Sequence, residues 1–307
     1  MKILVTGGAG FIGSQIVDLL IKKDYEVVII DNLSTGKKDY INDKAKFYEA
    51  DITKEIDLIF KKEKPEIVIH MAAQVMLRDS LENPIYDAKT NIFGTINVLE
   101  SCRKHNVKKI IYTSTIAVIG EPEYLPVDEK HLGKPCSPYG ISKYTAEHYV
   151  RAYNQLCGLD YLILRFGNVY GPRDDIKYKR VISLFIDCIL KNKIPSIFGD
   201  GTQTRDFIYV CDLAEFIAEN INKNSKNKLF HLAYGEQISV NEIFKILKEL
   251  CNLKENAKYV QAVKGEVKDI YLDISLAKKE LGWNPRHNIK QGLKETINYF
   301  KENFDKN

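Results

Sequence analysis

A short apolar strand that runs directly into spaced glycines and then into a helix leaves a chain few folds to adopt, and this one begins that way. Lys2-Ile3-Leu4-Val5-Thr6 has the unbroken apolar character of a strand buried on both faces, and Gly7-Gly8-Ala9-Gly10-Phe11-Ile12-Gly13 follows at once. Without a Cβ at Gly7, Gly10 and Gly13 the backbone can turn tightly and let a diphosphate approach. The helix opening behind the turn, at Phe11 and Ile12, then offers that charge its free N–H groups and positive dipole end. Glycine also serves ordinary turns, so the pattern draws its weight from the strand–turn–helix context.

The rhythm that follows agrees with this start. Strands are predicted at 26–30, 46–49, 66–70, 108–113 and 160–165, with helical stretches near 11–23, 53–62, 84–104 and 140–157 between them. Strand–helix alternation of this length predicts an α/β fold of the Rossmann type, a doubly wound parallel sheet covered on both faces. After about residue 166 the rhythm breaks at Pro172, Pro195 and the Gly-Asp-Gly turn of 199–201, and helices are expected at 180–192, 212–222, 240–251 and 289–303. This predicts a smaller α/β C-terminal substrate domain of residues 167–205 and 234–307. Residues 1–166 and about 206–233 then make up the sheet domain.

Composition narrows the class further. With 307 residues, 45% of them hydrophobic, the chain can bury a large core. A net charge of +4, from 45 basic and 41 acidic residues, gives no basic–aromatic patch for nucleic acid. The six cysteines form no C-x-x-C pair, no metal site is indicated, and most of these thiols are expected to be buried, as suits a reducing compartment. Met1 leads straight into a strand with no signal-peptide pattern, and no apolar run approaches the ~18 residues of a membrane span. A cytoplasmic location and no membrane partner are the expectations.

Asp31 ends the second predicted strand, eighteen residues past Gly13. A carboxylate there accepts hydrogen bonds from ribose hydroxyls and repels a 2′-phosphate, which favours NAD over NADP; the competing reading is a simple strand cap. Asp51-Ile52, after the third strand, is placed to hold the adenine. Ala72-Ala73-Gln74, after the fourth, offers small residues along which a cofactor can lie flat.

A second constellation carries chemistry. Tyr139 and Lys143 are four apart, so on a helix they share a face. An ammonium beside a phenol favours the phenolate and is expected to lower its pKa from about 10, making Tyr139 a base for a hydroxyl. The fifth strand ends in Thr113-Ser114-Thr115, on the edge that faces the ligand crevice. Thr115 is expected to hydrogen-bond the reacting oxygen. Thr113, counted with the cofactor residues, has local backbone capping as its competing role.

These segments together resemble the extended short-chain dehydrogenase/reductase family. The matching stretches are T-G-G-A-G-F-I-G-S at 6–14, D-N-L-S-T-G at 31–36, S-P-Y-G-I-S-K at 137–143, R-F-G-N-V-Y-G-P-R at 165–173 and G-D-G-T-Q-T-R-D-F-I-Y-V at 199–210, which span nearly the whole chain. D-N-L-S-T-G and G-E-P-E-Y-L-P-V-D-E at 120–129 look most like UDP-glucose 4-epimerases. The resemblance implies NAD as cofactor, held also by Asn32, Asn91 and Lys143, with Phe166 at its nicotinamide end. It implies a UDP-sugar whose diphosphate is held by Asn168, the backbone near Val181, and Arg205. For Arg205 a guanidinium fork suits phosphate oxygens, the competing reading being a surface salt bridge with Asp206. A homodimer through the helices near 84–104 and 140–157, and a place in galactose metabolism, are implied in the same way.

Some positions depart from that pattern. Val263 stands where a second phosphate-binding arginine is expected, leaving Lys264 to substitute as a point charge. Ile270 occupies the position that helps gate sugar size, and Ile119 replaces the usual tyrosine before Gly120. Sugar dehydratases of this kind place an acidic pair directly after the threonine; here Ile116-Ala117 cannot transfer protons. The expected activity is therefore 4-epimerisation of a nucleotide sugar, UDP-glucose/UDP-galactose first. UDP-N-acetylhexosamines, UDP-uronates, and another dehydratase or reductase reaction are the alternatives. A non-catalytic NAD-binding sensor is the contrasting class, and it has no need of the Tyr139/Lys143 pair.

Overall fold

The computed structural model describes residues 1–223, 227–262 and 267–304. Its first part alternates strands and helices in the order β1 (Lys2–Thr6), α1 (Phe11–Lys22), β2 (Glu26–Asp31), β3 (Lys46–Glu49), α2 (Asp57–Glu63), β4 (Ile67–His70), α3 (Leu77–Glu82), α4 (Pro84–Ala88), α5 (Gly94–Lys104), β5 (Lys109–Thr115), α6 (Pro138–Cys157) and β6 (Asp160–Phe166). Shorter elements follow: β7 (Asn168–Tyr170), α7 (Val181–Leu190), β8 (Ser196–Phe198), β9 (Thr204–Arg205), β10 (Phe207–Tyr209) and α8 (Val210–Asn220). The described chain continues with β11 (Lys228–Leu232), β12 (Ile238–Ser239), α9 (Val240–Leu250), β13 (Lys258–Val260), α10 (Ser275–Leu281) and α11 (Ile289–Glu302).

Seven strands form one parallel sheet in the order β3-β2-β1-β4-β5-β6-β11. This is the Rossmann-type doubly wound sheet, and its order reverses between β1 and β4, where the carboxyl ends of the strands open a crevice for a ligand. Alternation along the strands explains the two-sided cover. Leu4, Val28, Ile30, Val68, Ile110 and Ile163 pack on one face against Phe60, Val98, Leu99 and Val150 of α2, α5 and α6. Ile3, Val5, Val27, Ile29 and Ile69 pack on the other against Ile16, Val17 and Leu20 of α1 and Leu213 and Ile217 of α8. A third cluster, with Phe185, Ile197, Phe244 and Leu293, binds α7, α9 and α11 beside the crevice.

The strand and helix types are as expected, and the differences have local causes. β5 continues to Thr115 because Thr113, Ser114 and Thr115 pair in register with Leu164, Arg165 and Phe166 of β6. α2 begins only at Asp57, because the Asp51 carboxylate accepts the Thr53 N–H at 2.8 Å and holds a turn ahead of it. The helical run near 84–104 is broken by a π-helical turn at Lys89–Phe93. α3 and α10 have no counterpart in the sequence reading. Of the cysteines only Cys102 is buried; Cys136 and Cys157 are exposed and the other three half-buried, contrary to expectation. No described helix is long and apolar enough to cross a membrane.

Candidate active site

The glycine turn sits at the mouth of the crevice. Gly7 adopts φ +71°, and a Cβ there would meet the Ala72 backbone nitrogen at 2.7 Å. A Cβ on Gly13 would lie 2.2 Å from the Gly7 carbonyl oxygen, so the turn closes only with glycine there. At Gly10 a Cβ would touch nothing but that oxygen, at 3.2 Å, which leaves the outer side of the turn bare. Gly10 also caps α1 with no side-chain hydrogen bond, so the first amides of a twelve-residue helix stay available. This cradle fits the diphosphate of a dinucleotide.

Asp31 closes β2 beneath the turn. Its Oδ2 accepts the Ala9 N–H at 3.0 Å and its Oδ1 the Leu33 N–H at 2.8 Å. Burial pushes its carboxyl pKa up against those two bonds. Asn32 accepts the Ser34 N–H at 3.1 Å and reaches the Asp51 carboxyl. Burial raises Asp51, but the bonds from Thr53 and Asn32 outweigh it and hold the group below its usual value. Ile52 is buried behind it.

A polar wire crosses beneath the loop after β4. Ala72 N–H donates to Thr6 Oγ1 at 3.2 Å, and Thr6 Oγ1 meets His70 Nδ1 at 2.7 Å. His70 Nε2 meets Thr95 Oγ1 at 2.9 Å, and that hydroxyl donates to the Asn91 carbonyl at 2.7 Å. The directions of the outer bonds assign His70 as neutral with its proton on Nε2. Burial, with the Lys143 charge, agrees by lowering its pKa to about 3. Asn91 sits in the π-helical turn with its amide fully engaged by Gln74, Ser142 and Asp87. With its amide spent on these partners it braces the loop after β4, beside which the resemblance places the cofactor. Gln74 spends its own side chain on Met76 and Asp87, while Ala72 and Ala73 remain half-buried.

Thr115, Tyr139 and Lys143 converge above this floor. Thr115 Oγ1 accepts the Ala117 N–H at 3.2 Å and lies within hydrogen-bonding reach of the Tyr139 phenol. Tyr139 and Lys143 stand one turn apart on α6, which Ser137 caps by accepting the Gly140 N–H. The buried Lys143 Nζ rests 4.3 Å above the centre of the Tyr112 ring. The expected fall in the phenol pKa is not found in the chain itself. Burial raises Tyr139 in spite of Thr115 and Arg180, and burial lowers Lys143 to about 7 in spite of Glu147 and Asp87. Desolvation of each group outweighs the bond and the charges that oppose it.

Their neighbours on β5 point elsewhere. Thr113 Oγ1 donates to the His70 carbonyl at 3.1 Å, so that hydroxyl is spent on backbone, the competing role considered for it. Ser114 turns to the opposite face and donates to Glu147 Oε1 at 2.7 Å. Glu147 is held by Arg165 through two bonds of 2.8 Å, a buried bidentate pair linking α6 to β6. Phe166 follows Arg165, buried and level with Thr115.

On the opposite wall, Asn168 carries a buried Oδ1 that finds no partner among the described residues, an acceptor suited to a ligand donor. Val181 is the first residue of the ten-residue α7, which has no side-chain cap. Arg205 donates to the carbonyls of Thr204 and Lys268 at 2.8 and 3.1 Å. Asp206 is not its salt-bridge mate, because that carboxylate is buried and taken by the amides of Tyr234, Gly235 and Leu272. Ile270 and Ile119 are both buried in the main core. Val263 and Lys264 lie outside the described residues. Among those described, no group of three or more His, Cys, Asp or Glu is placed to hold a metal ion.

Three residues that sequence reasoning passed over stand here: Asp87, Glu147 and Arg180. Arg180 pairs with Asp174, lies 5.5 Å from the centre of the Phe11 ring in the glycine turn, and favours the Tyr139 phenolate. No spacing motif marks any of the three, and only the folding of α4, α6 and α7 onto the crevice brings them together.

The chain matches the sequence model of the NAD dependent epimerase/dehydratase family over residues 3–233. It belongs to that family. NAD is accordingly its cofactor, and the glycine cradle and Asp31 fit it. The chain is 51% identical over 304 residues, 98% of its own length and 99% of the other, to a putative UDP-glucose 4-epimerase of Methanocaldococcus jannaschii. It is 38% identical over 98% of its length to the UDP-glucuronate 4-epimerase of Thermodesulfobacterium geofontis, covering 97% of that protein. Its fold superposes with a TM-score of 0.97 and 41% identity on the crystal structure of a UDP-glucose 4-epimerase from Thermotoga maritima with UDP-glucose, covering 99% of this chain and 100% of that one.

Proposed function

We propose that the protein interconverts UDP-glucose and UDP-galactose by oxidising carbon 4 of the hexose and re-reducing it from the other face. The observation that carries this reading is the meeting of Thr115, Tyr139 and Lys143 beside the glycine cradle, with only Ile116 and Ala117 after the threonine. NAD, held by the glycine cradle and Asp31, would supply the hydride acceptor and donor for carbon 4. Tyr139 takes the proton of the 4-hydroxyl while Thr115 holds the oxygen. Lys143 stabilises the phenolate that must form, and Asn168, the first turn of α7 and Arg205 hold the diphosphate. The resulting 4-keto sugar turns over about its diphosphate link, and Tyr139 gives the proton back. Atoms and electrons balance with no net redox change.

Ile85, Phe93, Ile141 and Leu156 are exposed apolar side chains on α4, the π-helical turn and α6. They support pairing of two copies through these helices, and galactose metabolism in the cytoplasm is the setting this activity suits. The test is to incubate the purified protein with UDP-glucose, with and without added NAD, and to follow UDP-galactose by chromatography. An equilibrating ratio is expected; an unchanged ratio in both conditions overturns the assignment. UDP-glucuronate and UDP-N-acetylglucosamine in parallel define the sugar preference.

A further inference from the structure

Two buried carboxylates flank the proton-handling pair, and they are not alike. Glu147, one turn beyond Lys143, is clamped by Arg165 and touched by Arg151 at 3.3 Å, so its charge is already answered. Asp87 on α4 is fully buried, and no cation is paired with it among the described residues. Its Oδ1 accepts from Gln74 Nε2 at 3.0 Å and Asn91 Nδ2 at 3.2 Å, and its Oδ2 has no hydrogen-bond partner. A carboxylate so buried is costly unless a positive charge lies within reach. α4 packs against α6, where Asn91 Nδ2 also contacts Ser142 Oγ at 3.1 Å, next in sequence to Lys143. Lys143, for its part, has no carboxylate at ion-pairing distance among the described residues.

We propose that Asp87 is the counter-charge of the Lys143 ammonium, a positioning residue held in place by the Gln74 and Asn91 amides. This rests on the reading of Tyr139 and Lys143 as the pair that handles the sugar proton. The groups facing that pair are few. β4 contributes His70, which is neutral, and β5 contributes Thr115 and Tyr112, whose phenol burial keeps protonated. Arg180, just before α7, brings a positive charge toward Tyr139. Glu147 and Asp87 are the negative groups, and Arg165 offsets the first. Burial raises Asp87 itself, with the Gln74 and Asn91 bonds and the Lys143 charge opposing. Asp87 in turn opposes the burial that brings Lys143 to about 7, and it raises Tyr139. Removing its charge therefore moves both titrations the same way, to lower pH.

The variant is Asp87→Asn, which keeps the shape. Side-chain NMR of ¹³C-labelled lysines in the NAD-free protein follows Lys143, its signal assigned by loss in Lys143→Met. Asp87→Asn is expected to lower the Lys143 titration by about half a pH unit or more. Both limbs of kcat/KM against pH should move to acid with it, and Asp87→Glu should move them back. An unmoved Lys143 titration, or a bell that shrinks without shifting, overturns the proposal and leaves Asp87 a protonated bracket. If Asp87→Asn does not fold, Asn91→Asp, adding a negative charge beside the same bracket, must raise the Lys143 titration, and no rise overturns it equally. Lack of turnover on every UDP-sugar would sink the epimerase reading alone, since the lysine titration needs no substrate.

Discussion

Tyr139 shows what a single buried hydroxyl demands of its surroundings. Burial raises its pKa, so the chain must recover a reactive phenolate from what lies around it: the Thr115 hydroxyl and the Arg180 charge. Tyr139→Phe removes the proton acceptor and leaves the glycine cradle intact. Epimerisation is expected to fall by about 10²–10⁴-fold with NAD affinity by calorimetry nearly unchanged; equal turnover in the variant would show that Tyr139 is not the proton acceptor. Residues whose job is local were legible in the sequence. Gly13 must be glycine because of Gly7, six residues away, and Asp31 ends its own strand. Asp87 was not legible, because its meaning comes from a helix contact that no spacing records. The sign of the Tyr139 shift was missed for the same reason: a four-residue interval shows proximity and says nothing of burial.

At the scale of elements, the seam between β5, α6 and β6 holds the site together. Ser114, Glu147 and Arg165 join all three by buried hydrogen bonds, while Thr115 and Tyr139 meet at the carboxyl end of β5. Glu147→Gln leaves the Arg165 guanidinium buried with its charge unanswered. It should cost about 3–5 kcal/mol, read as a lower urea midpoint at unchanged slope. A loss within error would show that Arg165 finds another partner. Strand and helix types were readable here from periodicity, since doubly buried strands and amphipathic helices write their environment into every residue. The end of β5 was not. The predicted range stops at residue 113, and pairing with Leu164, Arg165 and Phe166 keeps Thr113-Ser114-Thr115 extended. The π-helical turn is equally invisible, because it is registered by the Asn91 bonds to Gln74 and Ser142 and not by composition.

For the molecule as a whole, α4, the π-helical turn and α6 all carry exposed apolar side chains. The double variant Phe93→Asp, Leu156→Asp should sediment at half the mass of the unaltered protein while keeping its far-ultraviolet circular dichroism. If the unaltered protein is itself a monomer at micromolar concentration, the paired arrangement is wrong. Because β11, from residues 228–232, is hydrogen-bonded to β6 at the outer edge of the sheet, the chain leaves the cofactor half and comes back to finish it. A break anywhere between would strip that sheet of its last ribbon. The segments between β6 and β11 are thus not a detachable cassette, and recombination can exchange them only by inheriting the far edge of the sheet along with them.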